Sequence, residues 1–80
     1  MDDADIVRRI QELADEEHAL ERAHEGAAPS RAERDRLRGL EVALDQCWDL
    51  LRQRRARRDA GQDPDATTVR PEDVVERYQQ

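Results

Sequence analysis

Leu37, Leu40, Leu44, Cys47 and Leu51 recur at spacings of 3, 4, 3 and 4. Ile6, Ile10, Leu13, Glu17, Leu20 and His24 recur at 4, 3, 4, 3 and 4. Residues three and four apart share one helix face, so each run is a stripe of heptad type, the first with two polar interruptions. Glu25-Gly26-Ala27-Ala28-Pro29 separates them. Gly26 suits the left-handed position that ends a helix, and Pro29 forbids continuation. A short loop between two helices makes them antiparallel neighbours. Pairing residues whose numbers add to 57 sets stripe against stripe throughout: His24 with Glu33, Leu20 with Leu37, Glu17 with Leu40, Leu13 with Leu44, Ile10 with Cys47 and Ile6 with Leu51. The spacing therefore predicts an all-α fold, a coiled-coil-like two-helix antiparallel hairpin.

The ends of the helices are marked as well. Asp2, Asp3 and Asp5 open the first helix, where carboxylates cap amides and meet the positive end of the dipole. Ser30-Arg31-Ala32-Glu33 is a capping box that starts the second. Gly61 follows the basic turn of Arg57 and Arg58 and marks its end. Expected boundaries are about 3–25 for helix 1, 26–30 for the turn and about 31–60 for helix 2. From residue 61 to 80 the composition shifts to an acidic linker and tail. The stretch GQDPDATTVRP is expected to lack regular structure. Pro71 suits a first helical position, so residues 71–78 can form a short third helix with Val74, Val75 and Tyr78 on its apolar side.

Charge supports the pairing. All fourteen basic residues are Arg, and the net charge is −6. Residues 1–30 carry net −6, residues 31–58 net +4 and residues 59–80 net −4. An acidic helix thus lies along a basic one. The absence of Lys, Asn and Phe points to a GC-rich genome. MDDADIVRRI lacks the basic and apolar regions of a signal peptide, and no apolar run reaches the ~20 residues of a membrane span. The single cysteine, Cys47, cannot close an internal disulfide, so a reducing cytoplasm is the expected location.

A chain of 80 residues buries only about 60% of its unfolded surface, and large apolar residues are scarce here. The expected remedy is association into a homodimeric four-helix bundle, or cover from the tail. The candidate core and dimer residues are Ile6, Ile10, Leu13, Leu20, Leu37, Leu40, Leu44, Cys47, Trp48 and Leu51. Trp48 is expected to cover the hairpin flank near Arg9 or to anchor the dimer.

Arg52, Arg54, Arg55, Arg57 and Arg58 crowd one helix end and are the candidate interaction residues. Two readings stand: a solvated helix end paired with Asp2, Asp3, Asp5 or the acidic tail, or a phosphate-binding patch for nucleic acid that the tail screens. Glu21-x-x-His24 and Asp15-x-x-His18 have the Glu-x-x-His type of spacing found in di-iron bundles, but His18 and His24 do not share a face. A bond from His24 to Glu33 is the simpler expectation, and no metal or cofactor is assigned. Glu17 is expected to fix register or to reach past the seam to Arg36. Cys47 reads as a small buried hydrophobe. With no catalytic triad, phosphate loop or Cys-x-x-Cys pair, no enzymatic activity is expected.

The run LEVALDQCWDLLRQRRARRDAGQDPDATTVRPEDVVERYQQ, with D-I-x-x-R-I-x-x-L-x-x-E-E-H at Asp5 to His18, resembles a family of short proteins from GC-rich actinobacteria, domain of unknown function 2630. LDQCWDLLRQRRARR is its most specific part. The resemblance implies a small helical protein with no assigned activity and transfers no site residues. The expected function is that of a non-enzymatic interaction or adaptor module acting through helix faces or tail, on an unknown protein partner and away from membranes.

Overall fold

The computed structural model describes every residue except Glu25 and Gln80, and no side chain of Arg77, Tyr78 or Gln79 is described. Among the described residues three helices form, α1 (Asp3–Arg22), α2 (Arg31–Asp59) and α3 (Glu72–Gln79), with a 3-10 turn at Pro64–Ala66. No strand occurs among the described residues. The fold is the all-α antiparallel hairpin of α1 and α2, with a C-terminal segment that ends in a short helix.

Each helix begins where its sequence dictates. Asp2 and Asp5 form a reciprocal capping box, with the Asp5 amide 2.8 Å from the Asp2 carboxylate. Ser30 and Glu33 do the same for α2, at 3.2 Å and 3.1 Å. Such boxes satisfy amides that the first helical turn leaves without partners. α2 ends on a Schellman motif: the Gln62 amide donates to the Arg57 carbonyl at 2.7 Å, and that of Gly61 to Arg58 at 3.1 Å. Gly61 has φ +72°, which a side chain would strain. α1 stops at Arg22, ahead of the expected boundary near 25; the His24 amide then bonds the Glu21 carbonyl and leads into a turn with Gly26 at φ +80°.

The register of the hairpin is visible at both ends. His24 faces Glu33 beside the turn, and Asp3 meets Arg54 at the open end. Both pairs add to 57. Between them Ile6 and Ile10 pack with Leu50, flanked by Leu44, Cys47 and Leu51. Leu13 and Leu40 are also buried. Leu20, Leu37, Leu44, Cys47 and Leu51 are half-buried, and Trp48 is 48% exposed. Arg36 pairs with Glu16 rather than Glu17, because Glu16 lies farther round α1 on the flank that Arg36 reaches.

The linker departs from the expectation of irregular chain. Its 3-10 turn is capped by Asp63, whose carboxylate accepts from the Asp65 amide at 2.9 Å. Both this turn and α3 pack on α2. Val75 is 1% exposed, so the third helix supplies a core residue of its own. The Tyr78 side chain, expected beside it, lies outside the described residues. α2 is therefore clasped between α1 and the C-terminal segment along a molecule 50 Å in its longest dimension.

Ser30→Ala removes the cap of the longest helix. We expect a loss of about 1 kcal/mol, read as a lower urea midpoint with an unchanged slope.

Candidate functional site

The polar residues of α2 converge with the returning tail in two clusters. The first centres on Asp49, whose side chain is completely buried. Arg70 donates from Nε at 2.8 Å and from a terminal nitrogen to the other carboxylate oxygen, a two-pronged contact. Gln53, one turn along α2, donates to Asp49 at 2.9 Å and to the Thr68 carbonyl at 2.8 Å. Gln46 bonds the Arg70 carbonyl at 3.3 Å. One carboxylate and two amides on a single helix face thus hold the backbone and side chain of the tail. The Arg70 guanidinium, more than Gln53, keeps the Asp49 carboxyl below its ordinary range against the upward push of burial.

The second cluster closes around Arg54, 5% exposed. Its guanidinium bonds the Asp3 carboxylate, the Asp65 carboxylate at 2.8 Å, and the carbonyls of Met1 at 3.0 Å and Pro64 at 3.3 Å. The N-terminal residue and the 3-10 turn are thereby gathered onto α2. Arg58 joins through Asp3 at 2.9 Å. Asp65 and then Asp3 raise the Arg54 pKa, while Arg58 and then Arg54 lower that of Asp3.

These contacts divide the arginine run. Arg54 is used internally, Arg58 is half-exposed but paired, and Arg52 lies 3.8 Å from Asp49. Arg55 is exposed and Arg57 half-buried, neither with an ion-pair partner among the described residues. The run is not a continuous free stripe. A shallow basin of about 310 Å³ lined by Arg52, Gln53, Ala56 and Arg70 lies beside it. Asp49, Gln53 and Arg70, which hold the tail, escaped the sequence reading. An aspartate off the apolar stripe looks like one more solvated charge until a partner from the tail covers it.

The remaining candidates behave as ordinary structure. Burial raises the Cys47 thiol pKa, and the charge of Arg9 only partly opposes it. No group of three His, Cys, Asp or Glu side chains that could hold a metal occurs among the described residues. Glu33 is lowered mainly by its bonds to Ser30, with His24 adding a smaller pull. No described helix is long and apolar enough to cross a membrane.

A family model described as "Protein of unknown function (DUF2630)" matches residues 2–80. The chain belongs to that family. It is 47% identical over 77 residues to the uncharacterized protein Rv0898c of Mycobacterium tuberculosis (strain ATCC 25618 / H37Rv), covering 95% of this chain and 88% of the relative. The uncharacterized protein Mb0922c of Mycobacterium bovis matches to the same extent. No solved structure matches the chain. The DUF2630 match runs through the hairpin and both halves of the tail latch.

Arg70→Ala leaves a buried carboxylate with the Gln53 amide and only a distant cation, Arg52 at 3.8 Å. The guanidinium is 28% exposed, so we expect the low end of the range for breaking a buried pair, about 3 kcal/mol, together with faster hydrogen exchange in α3. Asp49→Leu with Arg70→Met should restore most of that loss. The pH dependence follows from the same groups. Asp49, Asp3, Asp5 and Glu33 all titrate below their ordinary values when folded. Depressed carboxylates stabilise above the unfolded pKa of about 4, and that contribution disappears as pH falls through the folded values. Glu76, raised by neighbouring Glu72, has the opposite sign. Urea titrations should show little change from pH 7 to about 5 and a fall below about 4, shallower in the Arg70→Ala variant.

Proposed function

We propose that this chain is a non-enzymatic protein-interaction module of the reducing cytoplasm. In this reading a hairpin locked by its own tail presents the uncovered flank of α2 to another protein. The observation that carries it is Trp48. A large aromatic residue stands 48% exposed beside the half-buried Leu44, Cys47 and Leu51, while the tail seals a different side of α2. Exposed aromatic side chains next to apolar surface supply most of the binding energy at protein interfaces. A substrate pocket has little support: the hollow of about 200 Å³ between Ile6, Leu50, Thr67 and Val69 and the basin of about 310 Å³ beside Arg52 and Arg70 are both open to solvent.

Nucleic-acid association through Arg52 to Arg58 is the second reading, and one observation favours its masked form. Asp65, from the tail, covers Arg54. If that contact is a mask, Asp65→Ser exposes a phosphate-binding group whose binding weakens steeply with salt.

Photo-crosslinking in cells tests the two together. Benzoylphenylalanine in place of Trp48 should give a discrete protein adduct, and the same group in place of the exposed Ala60 should not. Fluorescence anisotropy with labelled DNA and RNA should stay flat at physiological salt for the full chain and for Asp65→Ser. No adduct at position 48, with salt-sensitive binding by Asp65→Ser, replaces the first reading with the second.

A further inference from the structure

The face of α2 that bears Trp48 has a pattern of its own. Glu41, Trp48 and Arg55 are spaced by one heptad each, so at about 100° per residue they fall within ~20° of their neighbours on the helix surface. All three are exposed. Leu44 and Leu51 lie between them, half-buried. The tail-binding residues Asp49, Gln53 and Gln46 point about 100° or more away from Trp48. Glu41 and Arg55 form no ion pair among the described residues, whereas Arg36, Arg54 and Arg58 pair with carboxylates of α1. The stripe therefore carries an unmatched negative charge one heptad before its aromatic residue and an unmatched positive charge one heptad after it.

That arrangement is complementary to itself when reversed. We propose that this flank takes a second copy of the chain, α2 against α2 in antiparallel order, with a two-fold axis passing beside Trp48. The inference rests on the interaction reading above and names its partner. A two-fold contact uses the same patch on both copies. Trp48 then meets its own counterpart in an offset or edge-to-face contact. Glu41 of each copy meets Arg55 of the other, so one sequence pattern provides two ion pairs. Leu44 of each copy meets the aliphatic stem of the other's Arg52, whose guanidinium can rest on the indole face. In parallel order Glu41 would meet Glu41 and Arg55 would meet Arg55, so charge selects the antiparallel one. The contact from residue 41 to 55 is only about 21 Å of helix, short enough for a modest dimer in the micromolar range.

Sedimentation equilibrium of the full chain gives the test. The wild type should be dimeric on the order of 100 μM and dissociate on dilution. Glu41→Arg and Arg55→Glu each create two like-charge contacts and should weaken the dimer at least about tenfold, with thermal unfolding of the monomer unchanged because both side chains are exposed. The double variant, and an equimolar mixture of the two single variants, should recover wild-type association. Trp48→Ala should weaken it as well. A chain that stays monomeric overturns the dimer; if Trp48 still crosslinks to a different protein, the interaction reading survives. Dimerisation indifferent to the signs at 41 and 55, or not rescued by the double swap, overturns the proposed register.

Discussion

The Asp49 carboxylate is the constraint on which the rest of the structure turns. It lies inside the molecule with no exposed surface, on a helix whose apolar stripe faces elsewhere. A carboxylate cannot stay ionised there without a cation and hydrogen-bond donors. Nothing on α1 supplies them. The donors are Gln53 from its own helix and Arg70 from the far side of a loop. Asp49 therefore requires the chain to leave α2 at Gly61, turn through Pro64–Ala66 and come back. Once Arg70 is in place, Pro71 and the residues after it can only continue along α2, which is where Val75 becomes buried.

This accounts for the unusual composition of α2. A helix that packs on one neighbour needs one apolar stripe. α2 has two partners and meets them differently. Toward α1 it presents Leu40, Leu44, Cys47, Leu50 and Leu51; toward the tail it presents Asp49, Gln53 and Gln46. Arg54 stands at the boundary and contacts both, through Asp3 on α1 and Asp65 on the tail. The other pairs divide between the two acidic segments, Arg36 and Arg58 going to α1 and Arg38 to Glu72 of the tail. The net charges of −6, +4 and −4 along the chain are the sequence-level form of this sandwich.

What could be read in advance follows from the same division. Contacts that repeat announce themselves. The heptad stripes gave the hairpin and its register because every third or fourth residue votes for the same face, and the capping boxes fixed the starts of α1 and α2 through local hydrogen bonds. Asp49–Arg70 repeats nothing. It joins positions 21 residues apart across a loop containing Gly61, Pro64 and Pro71, and neither residue differs in type from the other charges around it. Arg54 was visible as part of a conspicuous run, but its burial depends on where Asp65 and the Met1 carbonyl come to rest. Pro and Gly in the linker predict irregular chain because they break helices, yet they shape a docked turn equally well.

A polar latch has a consequence that an apolar one would lack. Buried ion pairs contribute little net stability because desolvation offsets attraction, but breaking one leaves a costly unpaired charge. Docking of the tail by Asp49, Gln53 and Arg70 is therefore specific in geometry without demanding more apolar surface from a chain that has little. The apolar surface that remains, around Trp48, is left outside the fold. The one tryptophan of the chain thus stays half in water, while charge and hydrogen bonds rather than further apolar burial dock the tail on the hairpin.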